Sequence, residues 1–339
     1  MIQNKAEDKI LSHNLTRNEK YLSLLNNMDH KDVTVGEIAE LGHQFMRKEK
    51  LHHHFFGGHS LFKNALHLAL FSLKLPFEYD NETLLKKPIN KNESLEIIKL
   101  FERRISERVP VEYLTEEALY LGKPFYVNKH VLVPRSLMNT RFRDFLNGIH
   151  WENNRVLDLC TGSGCIGITL ALMNPKIKVD LADISLEALE VSKKNIQRYF
   201  LHDRVNCIQS DLFENIKEKY DLIITNPPYV TEKEYRACPD EFKNEPKIAL
   251  TAGEQGLDII NKIIERARNH LNPNGTLIAE VGYTVAKRLK KKYRKVPFQW
   301  LNYRKSLQRE SVLDTLIRWS GYLDSVFLCK AEGLPKFKV

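Results

Sequence analysis

Arg155-Val156-Leu157-Asp158-Leu159-Cys160-Thr161-Gly162-Ser163-Gly164-Cys165-Ile166-Gly167 decides the fold: an apolar, strand-like run enters a loop whose three glycines stand at G-x-G-x-x-G spacing, and the helical run Ile168 to Leu172 follows. Strand, glycine turn and helix in that order let a nucleotide-type ligand approach the backbone closely. The next apolar run, Lys178 to Asp183, ends in an acid placed to hold ribose hydroxyls. A third, Val205 to Ser210, ends in Asp211-Leu212, placed to line an adenine slot. Strands alternating with helical runs predict an α/β architecture around a Rossmann-like parallel sheet.

A dinucleotide site and an S-adenosyl-L-methionine site share these features. Asp158 separates them, because it lies inside the first strand, four residues before Gly162. A carboxylate there opposes a pyrophosphate and favours the cationic amino-acid tail of a sulfonium cofactor.

The fourth apolar run, Tyr220 to Thr225, stops at Asn226-Pro227-Pro228-Tyr229. Each proline lacks an N–H and fixes φ, so the ladder cannot continue and the neighbouring carbonyls are held in one direction. The Asn226 side-chain oxygen and the Pro227 carbonyl can accept from a planar –NH2 group, and the Tyr229 ring offers a flat face to stack on. The implied substrate is an amine on an sp2 centre.

Composition sets outer bounds. The 339 residues are 42% hydrophobic, enough for a large core and two domains. A formal charge of +9 is compatible with a nucleic-acid or ribosomal setting. Five cysteines without a C-x-x-C pair predict a reduced, cytoplasmic chain with no zinc finger. The N-terminus lacks the apolar core of a signal peptide, and the apolar stretch Leu61 to Phe77 is interrupted by Lys63, His67 and Lys74, so no membrane association is expected. His52-His53-His54 with His59 does not predict a metal site, since three adjacent histidines cannot all face one ion.

Along the chain, residues 1–33 read as a polar tail and 34–110 as a helical, substrate-recognising domain. Its helices are expected from the Thr34-x-x-Glu37 capping box to about Lys48, over Ser60 to Leu73, and over Asn92 to Arg108. Residues 111–133 alternate around Gly122-Lys123-Pro124 and predict a β-hairpin linker able to wall the active site. Residues 134–339 are expected to form the catalytic, cofactor-binding domain, with a helix near Leu137 to Gly148 and a C-terminal strand pair at Phe298 to Tyr303 and Asp324 to Cys329. The pair is separated by an insert near 304–323. The basic run Lys287 to Arg294 reads as the solvated face of a helix, or as a surface that steers an acidic partner.

Tyr113-Leu114-Thr115, Val131-Leu132-Val133-Pro134-Arg135-Ser136, the glycine loop and Asn226-Pro227-Pro228-Tyr229 together resemble the HemK-like protein-glutamine methyltransferases, over roughly residues 34–303. The resemblance implies a class I S-adenosylmethionine-dependent methyltransferase with a seven-stranded sheet, a small N-terminal helical domain and a hairpin linker. It implies methylation of a glutamine amide nitrogen in a translation protein. Pro134-Arg135-Ser136-Leu137, the segment Cys238 to Leu250 and Phe55-Phe56-Gly57 are closer to the branch acting on large-subunit ribosomal protein uL3 than to the release-factor branch. Contact with ribosomal RNA or the assembling large subunit is a further implication.

The resemblance assigns backbone contacts with the methionine part to Cys160, Thr161, Gly162, Ser163 and Gly164, the ribose to Asp183 and the adenine to Leu212. Asn226, Pro227, Pro228 and Tyr229 become the glutamine-binding motif, with Asn226, Pro227 and Tyr229 catalytic and Asn226 also at the cofactor's edge. Glu245 reads equally as a base or as a structural partner for backbone N–H groups. The alternatives are glutamine methylation of release factors and, in a different class, methylation of an adenine amine in DNA or RNA.

Overall fold

The computed structural model describes residues 33–51, 61–136, 138, 142–301 and 326–335. The tail, Phe55-Phe56-Gly57, the histidine run with His59 and the insert near 304–323 lie outside the described residues. The chain divides into two compact units, the first ending at Thr115 and the second carrying Glu116 onward.

The first unit is helical. Helix α1 (Val35–Lys48) opens on the expected capping box: the Glu37 N–H donates to Thr34 Oγ1, and the Thr34 N–H donates to Glu37 Oε2 at 2.8 Å. Helix α2 (Leu61–Ser72) buries Ala65, Leu66, Leu68, Ala69 and Leu70. Helix α3 (Lys91–Ser106) repeats the capping device with Asn90 and Glu93, and its Ile97, Ile98 and Phe101 complete the core. Each box satisfies two N–H groups that a helix start leaves orphaned. Within this core, buried His67 sits between the Tyr79 hydroxyl (2.7 Å) and Thr115 Oγ1 (3.1 Å).

The second unit begins with a hairpin of Glu117–Tyr120 and Lys123–Tyr126, shorter than the 111–133 span expected from alternation. Val111–Leu114 instead makes a helical turn in the first unit, because Pro110 fixes φ at its N-cap. Of the helix expected near Leu137 to Gly148, the described part is Phe142–Gly148 (α4).

Seven strands follow: β1 (Arg155–Leu159), β2 (Lys178–Asp183), β3 (Val205–Gln209), β4 (Tyr220–Thr225), β5 (Leu271–Glu280), β6 (Gln299–Leu301) and β7 (Val326–Lys330). Across the sheet they run β6-β7-β5-β4-β1-β2-β3, with β7 antiparallel to both neighbours and the five strands from β5 to β3 parallel. Helices cover both faces of a parallel sheet, so its strands read as continuous apolar runs; β4 is buried along its whole length. The β-carbon that Gly167 lacks would collide with the Leu181 side chain, which is why helix α5 (Cys165–Met173) can lie so close to β2. Helix α6 (Leu186–Arg198) packs on β2 and β3, and helices α7 (Asp258–Ala267) and α8 (Tyr283–Lys292) share a hydrophobic core with β5.

The strand order reverses at β1, whose neighbours are β2 and β4. In open α/β sheets that switch point, outside the carboxyl ends of the strands, is where ligands bind.

Candidate active site

A cavity of about 260 Å³ opens at this switch point. Its floor is the turn after β1, where Cys160, Thr161, Gly162 and Ser163 line it. Cys160 is left-handed at φ 59°, as is Gly162 at φ 56°, and Gly164 at φ 79° begins α5. Only glycine adopts such angles freely, so the non-glycine Cys160 stores strain of about 1–3 kcal/mol at the pocket. Leu212, at φ 50°, does the same on the β3 side beside Asp211.

The carboxylates hold the loop in place. Asp158 is fully buried beneath the loop rather than on the cavity wall. Its Oδ2 accepts from Thr161 Oγ1 at 2.6 Å and from the Gly167 N–H at 2.8 Å, while Oδ1 is buried without a partner among the described residues. Burial, against those two donors and with the added repulsion of Asp183, pushes its pKa up to about 7. Asp183 lines the cavity and accepts the Gly162 N–H at 2.9 Å and the Ser185 N–H at 3.0 Å. Its pKa is also raised by burial. Two carboxylates held above their usual range, one with an orphaned oxygen, make a site that a cationic ligand stabilises.

On the β4 side, the Thr225 hydroxyl donates to the Leu159 carbonyl at 2.7 Å and ties the ends of β4 and β1 together. Asn226 and Pro228 line the cavity, whereas Pro227 is buried behind them. The Tyr229 and Val230 N–H groups both donate to the Leu250 carbonyl, at 3.1 and 2.8 Å. The Tyr229 ring lies beside Gly282, away from the cavity lining. Among the described residues, neither the Asn226 side chain nor the Pro227 carbonyl has a hydrogen-bond partner.

The cavity therefore gathers Cys160, Thr161, Gly162, Ser163, Asp183, Asp211, Leu212, Asn226 and Pro228 from the sequence-derived set, while Asp158, Gly164, Pro227 and Tyr229 border it without lining it. Its walls come from three other parts of the chain. The segment 130–136 forms one side, Ile248 and Ala249 another, and Ile259 and Lys262 of α7 a third. Glu245 joins two of these: its buried carboxylate accepts from Arg135 Nη1 at 2.8 Å on each oxygen and from the Val133 N–H at 3.0 Å. Burial still holds the Glu245 carboxyl above its ordinary range, outweighing Arg135 and the N–H. Of the two readings left open for Glu245, the structural partner is the one its hydrogen bonds match. Ser136 donates to Glu280 Oε2 at 2.7 Å and fixes the same wall to the end of β5.

The Methyltransferase small domain family matches residues 143–251, from α4 through the Asn-Pro-Pro-Tyr motif to the loop beyond it. The ribosomal protein uL3 glutamine methyltransferase of Neisseria gonorrhoeae is 40% identical over 240 residues, 70% of this chain and 80% of the relative. The protein of the same name from Neisseria meningitidis is 38% identical over 70% of this chain and 78% of its own length. Among solved structures, a methyltransferase from Pyrococcus furiosus is 16% identical over 61% of this chain and 88% of that one, at a TM-score of 0.41, too slight a likeness to argue from. Sheet order, glycine loop and acid-ended second strand are those of the class I S-adenosylmethionine-dependent methyltransferases. At 38–40% identity over more than two thirds of each relative, the chain belongs to the family of the ribosomal protein uL3 glutamine methyltransferases.

Proposed function

We propose that this chain methylates the side-chain amide nitrogen of a glutamine in ribosomal protein uL3. The observation that carries the reading is the pair of unpartnered acceptors at the end of β4, the Asn226 side-chain oxygen and the Pro227 carbonyl, beside a cavity that calls for a cation.

S-adenosylmethionine, when bound, supplies an electrophilic methyl group on a sulfonium and leaves as the neutral thioether. The turn from Cys160 to Gly164 holds its methionine part, with Asp158 beneath providing the counter-charge. Asp183 accepts from the ribose hydroxyls, and Asp211 and Leu212 border the adenine.

An amide nitrogen is a poor nucleophile because its lone pair is delocalised into the carbonyl. When Asn226 and Pro227 accept its two N–H groups, the lone pair is turned toward the cofactor side of the cavity, and the positive charge growing on nitrogen meets two dipoles already in place. Pro228 and Tyr229 keep those acceptors from moving. As the N–CH3 bond forms the nitrogen becomes acidic, and its proton leaves to water without a dedicated base. Glu245 is occupied with Arg135 and Val133.

The helical unit is the surface proposed to recognise uL3, and ribosomal RNA or the assembling large subunit is the setting in which it meets that protein. The five free cysteines agree with the cytoplasm as the compartment. Among the described residues no helix is long and apolar enough to cross a membrane.

Labelled S-adenosylmethionine added with this protein to a lysate that lacks it tests the reading. Label in uL3 is the expected result. Label in a release factor moves the substrate to the sister branch, and label in nucleic acid discards the protein substrate.

A further inference from the structure

The end of α8 carries more positive charge than its place in the fold requires. From Val281 to Leu301 the sequence contains seven cations and no acid. Lys287, Lys290, Lys291, Lys292, Arg294 and Lys295 are all exposed. A helix C-terminus favours cations, but that preference is worth about 0.3–1 kcal/mol and falls off within the last turn, so one or two side chains answer it.

Among the described residues, few groups packed against this end offset its charge. Glu265 of α7 reaches Lys292 at 4.0 Å, and Arg288 donates to the Gln255 carbonyl. Lys287 lies over the Tyr283 ring at 4.2 Å and Lys290 over the Trp300 ring at 4.7 Å. Lys291, Arg294 and Lys295 have no counter-charge among the described residues. Lys287 and Lys291 stand four residues apart on α8, about 6 Å along its axis, and Arg294 and Lys295 follow in the turn beyond the helix end at Lys292, so the basic face runs from the last turns of α8 into that turn.

We propose that this face binds the phosphate backbone of folded RNA, and so holds the enzyme beside a substrate that is meeting its RNA. This rests on the uL3 reading only in that a ribosomal substrate brings RNA with it. The chemistry favours a polyphosphate over an acidic protein. Protein interfaces are anchored by buried apolar or aromatic residues, and the exposed large hydrophobic residues described are Phe71, Leu121, Met173, Ile184, Leu186, Phe200 and Ile248, none of them on this stretch. A row of hydrated cations without an apolar anchor matches closely spaced charges that need no pocket.

The test is fluorescence anisotropy of a labelled hairpin RNA with the full chain over a series of KCl concentrations. The expected result is binding whose log K falls with log salt with a slope of about −3, one unit for each phosphate neutralised. The triple variant Lys291→Glu, Arg294→Glu, Lys295→Glu is expected to weaken RNA binding at least tenfold and flatten the slope. It is expected to leave methyl transfer to isolated uL3 unchanged. An alanine version of the same triple repeats the measurement without reversing charge. RNA binding that is absent or independent of salt, identical RNA binding by wild type and both variants, or equal displacement of the RNA by polyglutamate overturns the proposal. Loss of transfer to uL3 with RNA binding intact counts against the uL3 reading instead.

Discussion

Replacing Glu245 with glutamine changes one charge and almost no volume at the point where two walls of the cavity meet. The carboxylate is wholly buried, with Arg135 at 2.8 Å on both oxygens and the Val133 N–H at 3.0 Å, and Arg135 itself is only 12% exposed. A glutamine oxygen can still accept from Val133, but its –NH2 then faces the Arg135 guanidinium, donor against donor. Removing one partner of a buried pair costs about 3–5 kcal/mol. The acceptor that remains, and the partial access of Arg135 to water, bring the expected loss to about 2 kcal/mol. Urea unfolding should show it as a lower midpoint at unchanged slope. Because the segment 130–136 lines the cavity, binding of S-adenosylhomocysteine measured by calorimetry should weaken about tenfold, or about 1.4 kcal/mol. In a double-mutant cycle with Arg135→Met, about 1–2 kcal/mol should appear as coupling. A Glu245→Gln protein within about 0.5 kcal/mol of wild type, with cofactor affinity intact, would refute the idea that this pair holds the wall.

Three further outcomes follow from the same geometry. Asn226→Ala should lower kcat on uL3 about a hundredfold, since a preorganised acceptor is worth on the order of 3 kcal/mol in a barrier, and unchanged turnover would remove Asn226 from the chemistry. Asp158 titrates near 7 when folded and near 3.8 when unfolded, so the unfolded chain ionises first and stability without cofactor should fall as pH rises between those values, by at most about 4 kcal/mol. Unfolding at pH 5 and pH 8 checks that sign; Asp158→Asn should flatten the slope and weaken cofactor binding, and a slope that survives the substitution assigns it to other groups. Leu121, 47% exposed and left-handed at φ 52°, shares a two-residue hairpin turn with Gly122, a position that favours asparagine. Leu121→Asn should stabilise the protein by about 1 kcal/mol in urea unfolding, and a loss of stability would show that Leu121 has contacts worth more than its backbone strain.

What the sequence makes legible follows how local each signal is. The capping boxes at Thr34 and Asn90 act over three residues, and the first helix expected from one begins where its box places it. The glycine loop, Asp183 and Asn226 are strand-end residues, and a parallel sheet delivers every strand end to one edge, so their meeting in one cavity is readable from order alone. Asp158 is harder to place. It points into a fully buried strand interior and acts through Thr161 and Gly167, whereas the spacing suggested direct contact with the ligand. The Glu245–Arg135 pair spans 110 residues and Ser136–Glu280 spans 144, so no periodicity or motif announces either. Ile248, Ile259 and Lys262 join the cavity only because the chain folds back over β4, a tertiary event with no local mark.

The account is tested most directly by incubating purified chain, S-adenosylmethionine and purified uL3, then sequencing uL3 peptides by mass spectrometry. It predicts one added methyl group, located on the side chain of a single glutamine, and its near disappearance with Asn226→Ala. An unmodified uL3, or a methyl group on a lysine, an arginine or the N-terminus, would contradict it.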